Sequence, residues 1–308
     1  MTTAYITHPV CAQHNMGDEH PESPRRLSAI NDRLIASGIY DYLRHIDAPK
    51  AEMHQLQLAH GRQYIQQLFD QSPQTGLFQV DDDTAMNPHT LEAALYSAGA
   101  AIRAVDGVVS GEFNNAFCAT RPPGHHAEKN QAMGFCFFNN AAIAACHAVK
   151  QHRVKKVAII DFDVHHGNGT QDIVSGSFRM RYWSSFQSDL FPHTDTRKRS
   201  RRNIRLEPIA AGCSGEEYRE IIMQSLMPWL YKYRPQLIII SAGFDGHVED
   251  EMSQMRLTDN DYLWLIEKIN AAAKLFCNGK VVSLLEGGYD LSSLSRCVTS
   301  HIKELANL

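Results

Sequence analysis

The chain has 308 residues, 44% of them hydrophobic, and a formal net charge of −4. That length and apolar content allow one large α/β unit with a sizeable core, and the small charge excludes a global attraction to nucleic acid or membrane. Seven cysteines without a C-x-x-C pair read as reduced thiols of a cytoplasmic protein rather than a disulfide framework, the first residues lack a signal-peptide pattern, and no apolar run approaches the ~18 residues of a membrane span.

Taken in chain order, the pattern predicts a helix over 91–105, a strand over 116–120, a helix over 140–151 and a strand over 156–161. A helix over 216–231, a strand over 237–242, a helix over 259–276, a strand over 280–285 and a last helix over 291–305 follow. Strands alternating with helices imply a parallel sheet covered on both faces. The helices around 92–104 and 141–148 are alanine-rich and suit close packing.

Each predicted strand runs into a polar cluster. The first leads to Arg121-Pro122-Pro123-Gly124-His125-His126, the second to Asp161-Phe162-Asp163-Val164-His165. The third leads to Gly243-Phe244-Asp245 and the fourth to Glu286-Gly287-Gly288-Tyr289. Open parallel sheets bind ligands beyond the carboxyl ends of their strands, so four such ends point to one assembled site.

Asp161, Asp163 and His165 recur at every second position, and alternate side chains of an extended segment share a face. Buried carboxylates need compensation, and a divalent cation supplies it. Asp163, His165 and Asp245 make an open three-ligand site of the kind catalytic zinc requires; ferrous iron and cobalt suit the same donors, and a buried ion-pair network is the alternative. His125 and His126 follow a stiff Pro-Pro-Gly turn, where one imidazole can act as base while the other stays charged. Each needs a partner on its far nitrogen: Asp161 for His125 and Asn168 for His126. Tyr289 follows two glycines, Gly287 among them, that permit a tight backbone near a ligand. Phe135 and Phe191 can line a slot or pack in the core.

Together these motifs resemble the zinc-dependent histone deacetylase family, including its bacterial amidohydrolase members and the acetylpolyamine deacetylases. The resemblance runs from His20-Pro21-Glu22-Ser23-Pro24-Arg25-Arg26-Leu27 through the Arg121, Gly134-Phe135-Cys136-Phe137-Phe138-Asn139-Asn140, Asp161 and Ser241-Ala242-Gly243-Phe244-Asp245 segments to Glu286-Gly287-Gly288-Tyr289-Asp290. It implies the arginase–deacetylase fold, an eight-stranded parallel sheet flanked by helices, as a single catalytic domain over 1–308. It implies zinc on Asp163, His165 and Asp245, an acid–base pair at His125 and His126, and a carbonyl-polarising Tyr289. Phe135 and Phe191 would wall an acyl-lysine tunnel, the Gly134 carbonyl would accept from the substrate amide, and Asp83 would hold substrate backbone at the rim. A structural potassium would sit on backbone oxygens of Asp161, Asp163 and His165, with Ser184 as a further contributor.

Asn168 is similar to the second class of the family. Met252 stands where polyamine-selective relatives place an acid, which favours acetyl-lysine in proteins; Glu249 and Glu251 nearby keep acetylpolyamines open. A silent acyl-lysine-binding scaffold is the alternative from another class, and ureohydrolase chemistry lacks the extra carboxylates it wants. Self-association stays open, and direct nucleic-acid binding is not expected. The sequence departs from the family after Phe191-Pro192: five of the six residues 197–202 are basic, either a solvated loop or a basic lip to the site.

Overall fold

Four apolar runs form the middle of one eight-stranded sheet in this computed structural model, which describes residues 2–193 and 201–308. They are β5 (Asn115–Cys118), β6 (Val157–Asp161), β9 (Leu237–Ala242) and β10 (Val281–Leu285), buried at every residue. Strands covered on both faces read as continuous apolar runs, which is why the sequence exposes them. The full order is β2-β1-β5-β10-β9-β6-β7-β8, completed by β1 (Thr3–Thr7), β2 (Arg44–Asp47), β7 (Met180–Gln187) and β8 (Ile204–Ile209). Every pairing in it is parallel.

The four outer strands escape sequence reading for separate reasons. β2 is largely exposed and carries no apolar run. β7 buries Ser184, Ser185 and Gln187, which interrupt its apolar pattern. Pro208 in β8 lacks a ladder donor and is tolerated because β8 is an edge. A two-residue antiparallel pair, β3 (Phe78–Gln79) with β4 (Ala85–Met86), lies outside the sheet.

Helices cover both faces. Alternate residues of β9 divide between two cores: Ile238, Ile240 and Ala242 face α1 (Arg25–Ala36), α9 (Asp259–Cys277) and α10 (Leu291–Ala306). Leu237 and Ile239 face the core shared with α3 (Arg62–Gln71), α4 (Thr90–Ser110) and α5 (Asn140–Lys150). A short helix α2 (Met53–Leu56) joins that second layer, and α6 (Asn168–Val174) follows the strand-end segment that bears His165. The helix predicted over 216–231 is interrupted: α7 (Gly215–Ile221) passes through a wider π-turn, Ile222–Leu226, into α8 (Met227–Tyr233). Pro228 has no N–H to donate and its ring crowds the preceding turn, which accounts for the widening.

Register decides where chemistry can assemble. Leu284 pairs with Cys118, Leu285 with Ala242, and Asp161 with Ser241. The four central strands therefore end level with one another, and their polar clusters emerge along one edge of the sheet.

Candidate active site

Beyond the end of β6, Asp163 and His165 turn toward Asp245, which follows β9. His165 Nδ1 lies 3.2 Å from Asp163 Oδ1 and 3.1 Å from Asp245 Oδ2. Each carboxylate uses its other oxygen on backbone: Asp163 Oδ2 accepts from Gly287 N at 2.8 Å and Asp245 Oδ1 from Val164 N at 3.0 Å. These bonds aim the remaining oxygens at one point. Glycine is required around it, since a Cβ on Gly287 would stand 2.2 Å from Asp245 Oδ2 and one on Gly243 2.1 Å from Asp163 Oδ2.

The charges in this cluster fit a cation. Burial raises the Asp245 carboxyl, and the neighbouring Asp163 charge raises it further, to about 6. Burial opposes a charge on His165, yet Asp163 and Asp245 outweigh it and lift that imidazole to about 10. Two buried acids around one point therefore demand positive charge there. Asp163, His165 and Asp245 offer the donor set and the open face of a catalytic zinc site.

His125 and His126 sit side by side, ring centroids 4.0 Å apart, in opposite environments. His125 Nδ1 meets Asp161 Oδ2 at 3.1 Å, and the Tyr182 hydroxyl donates to the same oxygen at 2.7 Å. Burial disfavours a charged His125, but Asp163, Asp161 and Glu286 outweigh it and hold its pKa well above 6.5. His126 Nδ1 donates to Asn168 Oδ1 at 2.8 Å, an amide whose nitrogen is itself tied to Glu128 Oε1 at 2.8 Å. Burial, then the neighbouring His125 and His165, push His126 well below 6.5. A neutral imidazole donating from Nδ1 keeps a lone pair on Nε2.

These groups meet in a narrow cavity of ≈ 60 Å³ lined by Asp83, Pro123, His125, His126, Gly134, Phe135, His165, Phe191, Met252, Gly287 and Tyr289. Every residue the sequence assigned to walls, rim or carbonyl polarisation is among them; Asp161 and Asn168 stand behind the histidines. Phe191 meets the His126 ring edge-on at 4.9 Å, and Phe135 meets the Tyr289 ring at 6.1 Å and 88°. Phe135 holds a left-handed φ of 68° directly after Gly134 at 55°, a costly conformation for an aromatic residue. Its amide donates to Thr84 Oγ1 at 3.0 Å, which fixes that turn beside Asp83. A larger open depression of ≈ 820 Å³ lies by α7 and α9, lined by Glu216, Arg219, Glu220 and Met223, away from the histidines.

Several supporting residues were not singled out from sequence. Glu286 accepts the amides of Gly124 at 2.7 Å and His125 at 3.1 Å, holding the histidine turn; burial raises its carboxyl to about 7. Asp250 accepts the Tyr289 amide at 2.6 Å. Arg26 donates to the carbonyls of Gly288, at 2.7 Å, and Glu286, and its guanidinium lies 5.0 Å from the Tyr289 ring centre. Glu22 ties Arg26 to Arg121 with no exposure at any of the three. The signal was present as His20-Pro21-Glu22 and Arg121, but nothing in sequence says that these charges meet. Of the basic stretch, Arg201 and Arg202 lie just before β8, beside Phe178 and Arg181. That is the end of the sheet opposite the cavity, so these two do not form a lip; residues 197–200 fall outside the described residues.

The chain matches a solved HDA15 HD domain with a TM-score of 0.92 at 30% identity, covering 99% of this chain and 88% of that one. The histone deacetylase domain family matches residues 20–305. A parallel α/β hydrolase of the deacetylase class is thereby defined, and the chain belongs to the histone deacetylase family. It is 34% identical to the histone deacetylase-like amidohydrolase of Pseudomonas aeruginosa, over 99% of this chain and 80% of that protein. It is 32% identical to type-2 histone deacetylase 2 of Dictyostelium discoideum and 31% to polyamine deacetylase HDAC10 of Homo sapiens. It spans 21% and 44% of their lengths, respectively. Among the described residues no helix is long and apolar enough to cross a membrane.

Proposed function

We propose that this chain removes the acetyl group from acetyl-lysine side chains of proteins, as a cytoplasmic zinc-dependent amide hydrolase. The observation that carries the reading is the pair of adjacent imidazoles with opposite charge preference, opening with His165 into one narrow aromatic-walled tube beside two buried carboxylates. Zinc on Asp163, His165 and Asp245 would supply Lewis acidity toward the amide carbonyl and the attacking water. His126 takes the water proton on Nε2, because Asn168 occupies its Nδ1. His125, held charged by Asp161, stabilises developing negative charge and returns a proton to the departing amine. The Tyr289 phenol, kept protonated by burial and then by the Asp245 charge, donates to the oxyanion. Gly134 offers its carbonyl to the substrate N–H, and Phe135 and Phe191 exclude water from the methylene stem. A potassium ion on backbone oxygens of Asp161, Asp163 and His165 is part of this proposal; buried Ser184, paired with Asp161 across β6 and β7, supports it. Seven cysteines without a disulfide accord with the cytoplasmic assignment.

Tyr289→Phe is the direct check on the phenol. It should retain zinc while losing on the order of 10²–10³ in kcat, the scale of one oxyanion donor. Turnover of an acetyl-lysine peptide at the wild-type rate would remove Tyr289 from the mechanism.

A second substrate, an acetylated polyamine, is favoured by the polyamine deacetylase among the relatives. The rim argues against it. Met252 lines the cavity, and Glu249 is held by Arg296 at 2.9 Å rather than free to meet a cationic substrate. The wild type should therefore show a higher kcat/KM on an acetyl-lysine peptide than on acetylspermidine. Met252→Glu should shift the ratio toward acetylspermidine by about twofold to fivefold, the scale of one partly exposed ion pair. An unchanged ratio would mean that this rim position does not read substrate charge.

A further inference from the structure

At the end of the sheet opposite the cavity, α4 and α5 bring three metal-binding side chains together. His147, in the last turn of α5, and His152, in the turn beyond it, each place Nε2 2.6 Å from the same oxygen of Asp106 on α4. The two rings are 5.3 Å apart and nearly perpendicular, so they approach the carboxylate from different sides. The Asp106 and His152 side chains are 43% and 26% exposed, which leaves the cluster open to ions and water, while His147 is buried.

The surroundings supply no permanent cation. Among the described residues, no lysine or arginine pairs with Asp106. The contrast is Asp259, which also meets an imidazole and a thiol but is neutralised by Arg296 at 2.8 Å. Asp106 also stands near the carboxyl end of α4, where the helix dipole disfavours negative charge.

We propose that Asp106, His147 and His152 form a second divalent-metal site, distinct from the deacetylase centre, for an imidazole-preferring ion of the zinc, cobalt or nickel class. Two imidazoles and one carboxylate with open positions suit such ions better than calcium or magnesium. Zinc at about 2.0–2.1 Å from each ligand atom would separate those atoms to about 3.3 Å. The present 2.6 Å therefore has to widen by less than an ångström, within reach of a side chain in a turn. The bound ion clips α4 to the segment that leads into β6. No covalent chemistry is involved; the ion displaces the protons that the imidazoles share with Asp106.

The test is equilibrium dialysis of the full chain against Co2+ or Zn2+, with elemental analysis and the visible cobalt spectrum. Wild type is expected to take up two ions per chain. His152→Gln and Asp106→Asn should take up one, with acetyl-peptide turnover unchanged. Asp163→Asn should also hold one, with a cobalt spectrum different from that of His152→Gln. Excess Zn2+ should raise the Tm of wild type more than that of His152→Gln. Equal metal content and equal Tm response in wild type and His152→Gln would overturn the site, whatever the catalytic variants show. Because His152 lies in a partly exposed turn, its substitution reads the site even if Asp106→Asn fails to fold.

Discussion

Asp163→Ala is expected to lose metal and activity together. The carboxylate is held by both oxygens, one beside His165 Nδ1 and one on the Gly287 amide. Its removal leaves two of three protein ligands and strands two buried backbone N–H groups, those of Gly287 and His165. Losing a group that only supports a ligand costs about 10–100-fold in metal affinity, so losing the ligand itself should exceed roughly 10². Zinc per chain, which should fall by one ion relative to wild type, and turnover of an acetyl-lysine peptide, measured on the same preparation, check this. A variant that kept both would show that the cation sits elsewhere.

Glu22→Gln should produce the largest loss of stability. Glu22 lies between Arg26 Nη1 at 3.1 Å and Arg121 Nη2 at 2.7 Å, with no solvent exposure. Neutralising it leaves two guanidinium groups buried without their counter-charge, a cost of about 3–5 kcal/mol, and a fall in Tm on the order of 10 °C. Activity should fall as well, because Arg26 holds the Gly288 carbonyl next to Tyr289. The same residue predicts a pH dependence. Burial opposes the Glu22 charge, but Arg121, His14 and Arg26 outweigh it and keep its folded pKa well below 4.5. Its contribution is therefore complete above about pH 4.5 and drains away as pH falls through the depressed folded value. Wild-type Tm should decline over that acid range, and the decline should be shallower in Glu22→Gln. Parallel Tm-against-pH curves would show that the network does not depend on this charge.

The parts of the molecule legible in sequence share a physical cause. β5, β6, β9 and β10 are covered on both faces, so their residues are mostly apolar and their ends are marked by abrupt polar clusters. Asp163, His165, Asp245 and the His125–His126 pair could be read because their chemistry is local to those ends. The expectation that Asp161, Asp163 and His165 share one strand face does not hold: β6 ends at Asp161, the chain bends through 163–165, and Asp161 turns to His125 while Asp163 and His165 meet Asp245. β2 and β8 were invisible because an edge strand need not alternate or be apolar. The helix α1 carries buried Leu27, Ile30 and Leu34 at helical spacing, a signal that was present but shorter than the neighbouring motif. Glu22 and Arg26 are one helical turn apart, but neither could be connected to Arg121, because that pairing spans 99 positions of chain. Glu286 looked like one more strand-end acid, and only the structure shows it gripping the turn that carries both histidines.

The place of β10 in the sheet also bears on biosynthesis. It is the last of these eight strands to be synthesised, yet it sits between β5 and β9. Until it arrives, the nascent chain can pair only two partial sheets, each ending in a largely apolar open edge. Such edges invite pairing with other chains. Closure of the centre, delivery of Tyr289 and protection from aggregation are thus one event, dependent on the arrival of β10.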